Sequence, residues 1–216
     1  MQKQLIMFLT LGLMFAACSK APEGKKVAAE AAQEVQTLSE KVDTLSVDLA
    51  SSQVEWLGTK PGGDSHQGNI SIKSGYLLVL DNMIAGGEFV LDMTSIAVTD
   101  LSGGKKTDLE GHLKTGDFFE VETYPEATFT ITNTSENDQD SAYSTLITGN
   151  LAMKDSLKAI EIPAQVVVAD GVLKAETPQF TIDRTQWGVM YRSGIIGTVK
   201  DKLINDQVGL RIQLNA

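Results

Sequence analysis

From residue 47 onward, hydrophobic and polar residues alternate in short runs, the period-two signature of half-buried β-strands. Gln53–Lys60 (QVEWLGTK) sets Val54 and Trp56 on one side of such a run. His66–Lys73, Tyr76–Leu80, Ile84–Met93, Glu126–Ser135, Ala142–Lys154, Leu157–Ala169, Val172–Ile182 and Ile204–Leu214 continue the pattern, separated by Gly, Asn, Asp and Ser. Asp170-Gly171 between two runs is a hairpin signal, because both residues tolerate the positive φ of a tight turn. Only Lys105–Gly116 (KKTDLEGHLKTG) reads as a short helix, weakened by its glycines. Many strands, regular turns and little helix predict an all-β sandwich or closed barrel. Closure is attractive because it removes exposed strand edges.

The first 46 residues have a different texture. Lys3 precedes an apolar run, Leu5–Phe15, too short to span a bilayer comfortably, and small residues follow at Ala16-Ala17. This predicts an export signal over residues 1–17. Cys18, the sole cysteine, stands directly after the expected cut, an arrangement that resembles the lipobox of bacterial lipoproteins. The resemblance implies acylation at Cys18 and anchoring to a membrane; an ordinary signal peptide that leaves a free thiol is the alternative. Residues 18–46 then read as a tether. Ala28, Ala31, Val35, Leu38, Val42 and Leu45 recur at helical spacing, so the tether is expected to be helical or disordered, with the folded domain over residues 47–216.

Composition narrows the function classes. Asp and Glu outnumber Lys and Arg, 28 to 18, for a formal charge of −10. Nucleic-acid phosphates demand basic patches, so no nucleic-acid partner is expected. One cysteine allows no internal disulfide and no cysteine-based zinc site. Nor is there a nucleophile elbow, a phosphate loop or an HExxH helix, and the only histidines, His66 and His112, lie far apart. The chain is therefore read as no enzyme, with no metal and no cofactor.

Four ordered blocks carry a family resemblance. Asp117–Phe129 (DFFEVETYPEATF) is the most distinctive. Ser52–Lys60 with His66 and Gly68, Gly86–Ser95 (GGEFVLDMTS) and Phe180–Gly188 (FTIDRTQWG) accompany it. Together they resemble the YceI-like family over about four-fifths of the precursor, with one departure, Asp155, where the family shows Gly in a turn. The resemblance implies a lipocalin-like, eight-stranded antiparallel barrel holding a long apolar molecule: a polyisoprenoid, an isoprenoid quinone or a fatty acid or amide. It also implies export to the periplasm, with a cytochrome b561-type membrane protein as a candidate partner. A homodimer stays open. Ser19-Lys20 offers no acidic run of the kind tied to surface display, which favours a periplasmic, outer-membrane-anchored protein.

Alternation assigns the inward positions. Trp56, Ile70, Ile72, Phe89, Leu91, Phe129, Ile131, Phe180 and Ile182 share the apolar phase of their runs, and either line a cavity or fill a solid core. His66 follows the flexible Gly62-Gly63-Asp64-Ser65 and is placed near a rim, for a ligand's polar head or for pinning a loop. Arg184, beside Asp183, reads as a ligand contact or a structural ion pair. Trp187 and Tyr191 flank Gly188 and read as an aromatic lid or a cap on the core. Pro125 forces Tyr124 into extended backbone, and Phe118 and Phe119 are expected to wedge the connecting segment against the barrel. Two functions follow: a carrier with a tunnel of several hundred cubic ångströms, or a structural lipoprotein with a filled barrel.

Overall fold

Eight strands close on themselves because each finds an antiparallel neighbour on both sides. The computed structural model describes residues 21–216 apart from 39, 40 and 170. In chain order the elements are β1 (Lys25–Lys26), β2 (Glu30–Ala31), β3 (Asp43–Ser46), β4 (Gln53–Thr59), β5 (Ser65–Leu80), β6 (Met83–Val98), α1 (Gly103–Lys114), β7 (Glu126–Glu136), β8 (Thr145–Met153), β9 (Ser156–Ala169), β10 (Val172–Glu176), β11 (Phe180–Asp183) and β12 (Gln207–Asn215). The ring runs β4-β5-β6-β7-β8-β9-β10-β12 and returns to β4, where Trp56 opposes Leu210. This is the all-β, eight-stranded antiparallel barrel, with one short α-helix among the described residues.

The two expected strands His66–Lys73 and Tyr76–Leu80 are one element, β5, paired with a β6 equally long. Register shifts at Asn69/Ser71, Ile72/Ser74 and Leu78/Val79 bend the pair, so long strands can coil around a small barrel. Gly68 serves the closest approach: a Cβ there would sit 1.8 Å from the Ala97 carbonyl oxygen and 2.8 Å from the Trp56 ring. Any larger residue would force β5 from β6.

Val172–Ile182, expected as one strand, is two. Pro178 has no N–H to donate, and Thr177 turns instead to β12, where its Oγ1 accepts from the Ile212 N–H at 3.0 Å. Below this break, β9 and β11 part and the N-terminal segment fills the seam. Lys25 and Lys26 pair in parallel with Phe180 and Thr181, while Glu30 and Ala31 pair with Ala159 and Lys158. Val27 is buried, and its N–H donates to the Thr181 carbonyl at 2.8 Å.

The segment is thus no helical or disordered tether over its described residues. It crosses the outer wall, where the Gln33 N–H donates to Asn150 Oδ1 at 2.9 Å and Asn150 Nδ2 returns a bond to the Gln33 carbonyl at 2.7 Å. It then pairs with the upper half of β5 through Asp43–Ser46. A short isolated helix is marginal in water, and open strand edges offer better partners than solvent. Residues 1–17 and Cys18 lie outside the described residues.

Candidate functional site: an apolar cavity with a polar mouth

Inward residues of the barrel enclose a cavity of about 240 Å³. Its wall is almost wholly hydrocarbon. Trp56, Ile70, Ile72, Phe89, Leu91, Phe129, Ile131, Phe180 and Ile182 all line it, as strand alternation predicts. The Phe89 and Phe129 rings lie nearly parallel with centroids 6.5 Å apart. An apolar cavity of about 150 Å³ is known to take benzene, so this space holds roughly ten carbons without movement of the wall. That is smaller than the tunnel expected from sequence.

The cavity has a closed and an open end. At the closed end the wall converges on Leu77, Ile84, Ala164 and Leu214, all buried. The opposite end is bounded by more accessible residues: Lys60, Asp64, Ser65 and His66 of the β4–β5 hairpin, and Ile204 and Asn205 just before β12. α1 covers part of this mouth. Leu109 and Leu113, one turn apart, face the cavity from its helical surface. Glu110 pins the helix by accepting from the Val98 N–H at 2.8 Å.

Polar groups gather at the mouth. His66 Nδ1 lies 2.9 Å from Asp100 Oδ2, and the Gln67 N–H donates to the other carboxylate oxygen at 3.1 Å. Desolvation raises the Asp100 carboxyl, but the Gln67 and His66 bonds outweigh it and hold the group below the usual carboxylate range. An ionised carboxylate only accepts, so Nδ1 carries the proton and Nε2 is the ring's remaining polar atom. Lys60 Nζ reaches Asp64 at 3.5 Å, and Asn205 Nδ2 donates to Thr59 Oγ1 at 2.7 Å. Deeper in the wall one donor stands out: the Trp56 Nε1–H is buried and has no hydrogen-bond partner among the described residues.

Three predicted site residues have other duties. Arg184 borders the cavity, yet its guanidinium is spent on the protein. It donates to the carbonyls of Val189 at 2.6 Å, Ile204 at 3.2 Å and Asn205 at 3.2 Å, and to Asp206 Oδ1 at 3.2 Å. Burial pushes it below its ordinary pKa, with Asp206 and Asp183 pulling it back. Trp187 does not line the cavity. It is fully buried, and its Nε1–H donates to the Leu151 carbonyl at 3.0 Å. Tyr191 is no lid either: it packs behind the wall against His112 and Phe118, with centroids 4.9 and 5.1 Å away.

Conversely, Leu109, Leu113, Phe118, Phe119, Met93 and Met153 line the cavity without having been singled out as site residues. The Leu109/Leu113 spacing was a readable signal. The side on which the helix docks was not.

Comparisons with known proteins agree with this architecture. The model of the YceI-like domain matches residues 45–216, starting within β3. BcnA of Burkholderia cenocepacia is 20% identical, with a TM-score of 0.58 over 79% of this chain and 99% of that one. A polyisoprenoid binding domain from Saccharophagus degradans, implicated in plant cell wall breakdown, is 12% identical, with a TM-score of 0.57 over 81% and 98%. A Campylobacter jejuni YceI protein is 20% identical, with a TM-score of 0.50 over 68% and 82%. No curated protein matches the chain. The closed barrel and the family model spanning it from β3 to the last residue establish that the chain belongs to the YceI-like family.

Proposed function

We propose that this protein is an exported lipoprotein, acylated at Cys18 and held on the periplasmic face of a bacterial membrane, the outer one favoured. It carries or stores a long apolar molecule inside its barrel. The observation behind this reading is the cavity itself: about 240 Å³ of hydrocarbon-walled space leading to a mouth with polar side chains. The name of the Saccharophagus degradans domain supports a polyisoprenoid as the class of guest.

Magnitudes say how such a guest must sit. Each buried CH₂ is worth about 0.8 kcal/mol, so a five-carbon unit offers roughly 3–4 kcal/mol. Two units, which the present space admits, offset only the lower end of the association cost of about 4–15 kcal/mol. A tight complex therefore buries more chain, and Met93 and Met153 in the wall are the side chains best able to yield. The unpartnered Trp56 N–H favours a guest bearing an acceptor oxygen, because leaving a buried donor unmet costs about 1–3 kcal/mol.

Organic extraction of natively purified protein followed by mass spectrometry tests the reading. A reproducible isoprenoid or fatty species is the expected result, whereas repeatedly clean extracts would favour the structural lipoprotein. Trp56→Phe should weaken retention of an oxygen-bearing guest about tenfold and leave a plain hydrocarbon unaffected. For the anchor, Cys18→Ala should move the protein from the membrane to the soluble fraction, and continued membrane retention would sink that part.

A further inference from the structure

Beside the cavity mouth stands a loop outside the barrel strands. It runs from Arg192 to Ile204, and its base is closed by the Ile204 N–H donating to the Arg192 carbonyl at 3.0 Å. The Arg184 guanidinium bonds both feet, Val189 on one side and Ile204 and Asn205 on the other. Ser193 is fully buried, and its Oγ accepts from the Ile195 N–H at 3.2 Å to start a 3-10 turn over Gly194–Ile196. Gly197 ends that turn in the left-handed region, at φ 77.

The rigid base holds an apolar tip in water. Ile195, Ile196 and Val199 are 66%, 58% and 60% exposed. Single exposed aliphatics are ordinary on protein surfaces; three within five residues on one held-out turn are not. The flanks carry Arg192, Lys200 and Lys202 against one acid, Asp201, although the whole chain has a formal charge of −10. An apolar tip with bases behind it matches the two layers of an anionic bilayer surface, headgroup phosphates outside and acyl chains beneath.

We propose that this loop is a membrane-docking element: Ile195, Ile196 and Val199 insert among lipid chains while Arg192, Lys200 and Lys202 meet anionic headgroups. Docked in this way, the mouth at Ile204 and Asn205 opens toward the bilayer, so an apolar guest moves between membrane and barrel without crossing bulk water. The docking stands on the loop alone, and only its purpose rests on the carrier reading.

Tryptophan fluorescence of the full chain tests this. Ile196→Trp should shift to the blue and be quenched by brominated lipid when vesicles of phosphatidylcholine with phosphatidylglycerol are added. Met83→Trp, at a similarly exposed site at the start of β6 at the closed end, should not respond. Adding Lys200→Glu with Lys202→Glu to Ile196→Trp should weaken vesicle binding by about thirtyfold or more. A silent Ile196→Trp, an equal response from Met83→Trp, or a shift driven by protein concentration without vesicles would overturn the proposal, the last in favour of self-association. Extraction of a guest from protein whose loop stays silent would leave the carrier reading intact. Insertion by protein that yields no guest would leave the docking standing alone.

Discussion

Replacing Trp187 with alanine is expected to lower stability by about 3–5 kcal/mol, the range for emptying a fully buried tryptophan site. The residue closes the short helical turn Arg184–Trp187 after β11, and its indole N–H ties that turn to the Leu151 carbonyl of β8. Deleting the ring leaves a void and removes the indole hydrogen bond together. Trp187→Phe refills most of the void but not the hydrogen bond, so it should fall between wild type and alanine. Urea unfolding reads both variants, with a lower midpoint and an unchanged m-value. Because Trp187 is outside the cavity wall, folded variant protein should retain as much co-purifying guest as the parent. Near-wild-type stability with selective loss of guest would instead restore Trp187 to the site.

Arg184→Met should cost a similar amount, about 3–5 kcal/mol, the range for removing one partner from a buried charged network. The residue is 3% exposed, and loss of its side chain leaves three carbonyls and Asp206 without their shared donor. At roughly 2–4 °C per kcal/mol for a chain of this size, the thermal midpoint should drop by about 10 °C. Arg184→Lys should recover only part of this, since one ammonium on a flexible stem cannot address donors' targets on both feet of the loop at once. Hydrogen exchange separates this network from a general core defect: amides of the Arg192–Ile204 loop should lose protection before those of β7 and β8. Uniform loss throughout the barrel would contradict the anchoring role.

The inward residues were legible because strand alternation is a property of local backbone geometry. Trp56, Ile70, Ile72, Phe89, Leu91, Phe129, Ile131, Phe180 and Ile182 hold the phase in the structure that they hold in the sequence, bulges notwithstanding. His66 was legible as a rim residue for a similar reason, because glycines mark the connection before it. For Trp187 and Tyr191 the sequence left lid and core cap open, because the chain leaves regular strand after Asp183, and outside a strand no periodicity says which way a ring points. The break at Pro178 carried a readable signal in the missing N–H.

By itself, the order of residues determined the fold class, the apolar phase of the strands and the four motif blocks that mark the family, since each depends on neighbours a few places away. Tertiary structure alone decided which seam stays open below Pro178, that residues 25–31 fill it as strands instead of forming a helix, that α1 lends Leu109 and Leu113 to the cavity, and that Arg184 is consumed in holding a loop. Those outcomes follow from pairing and closure between segments far apart in the chain. There, hydrogen-bond demand and free strand edges, not local propensity, select the partner.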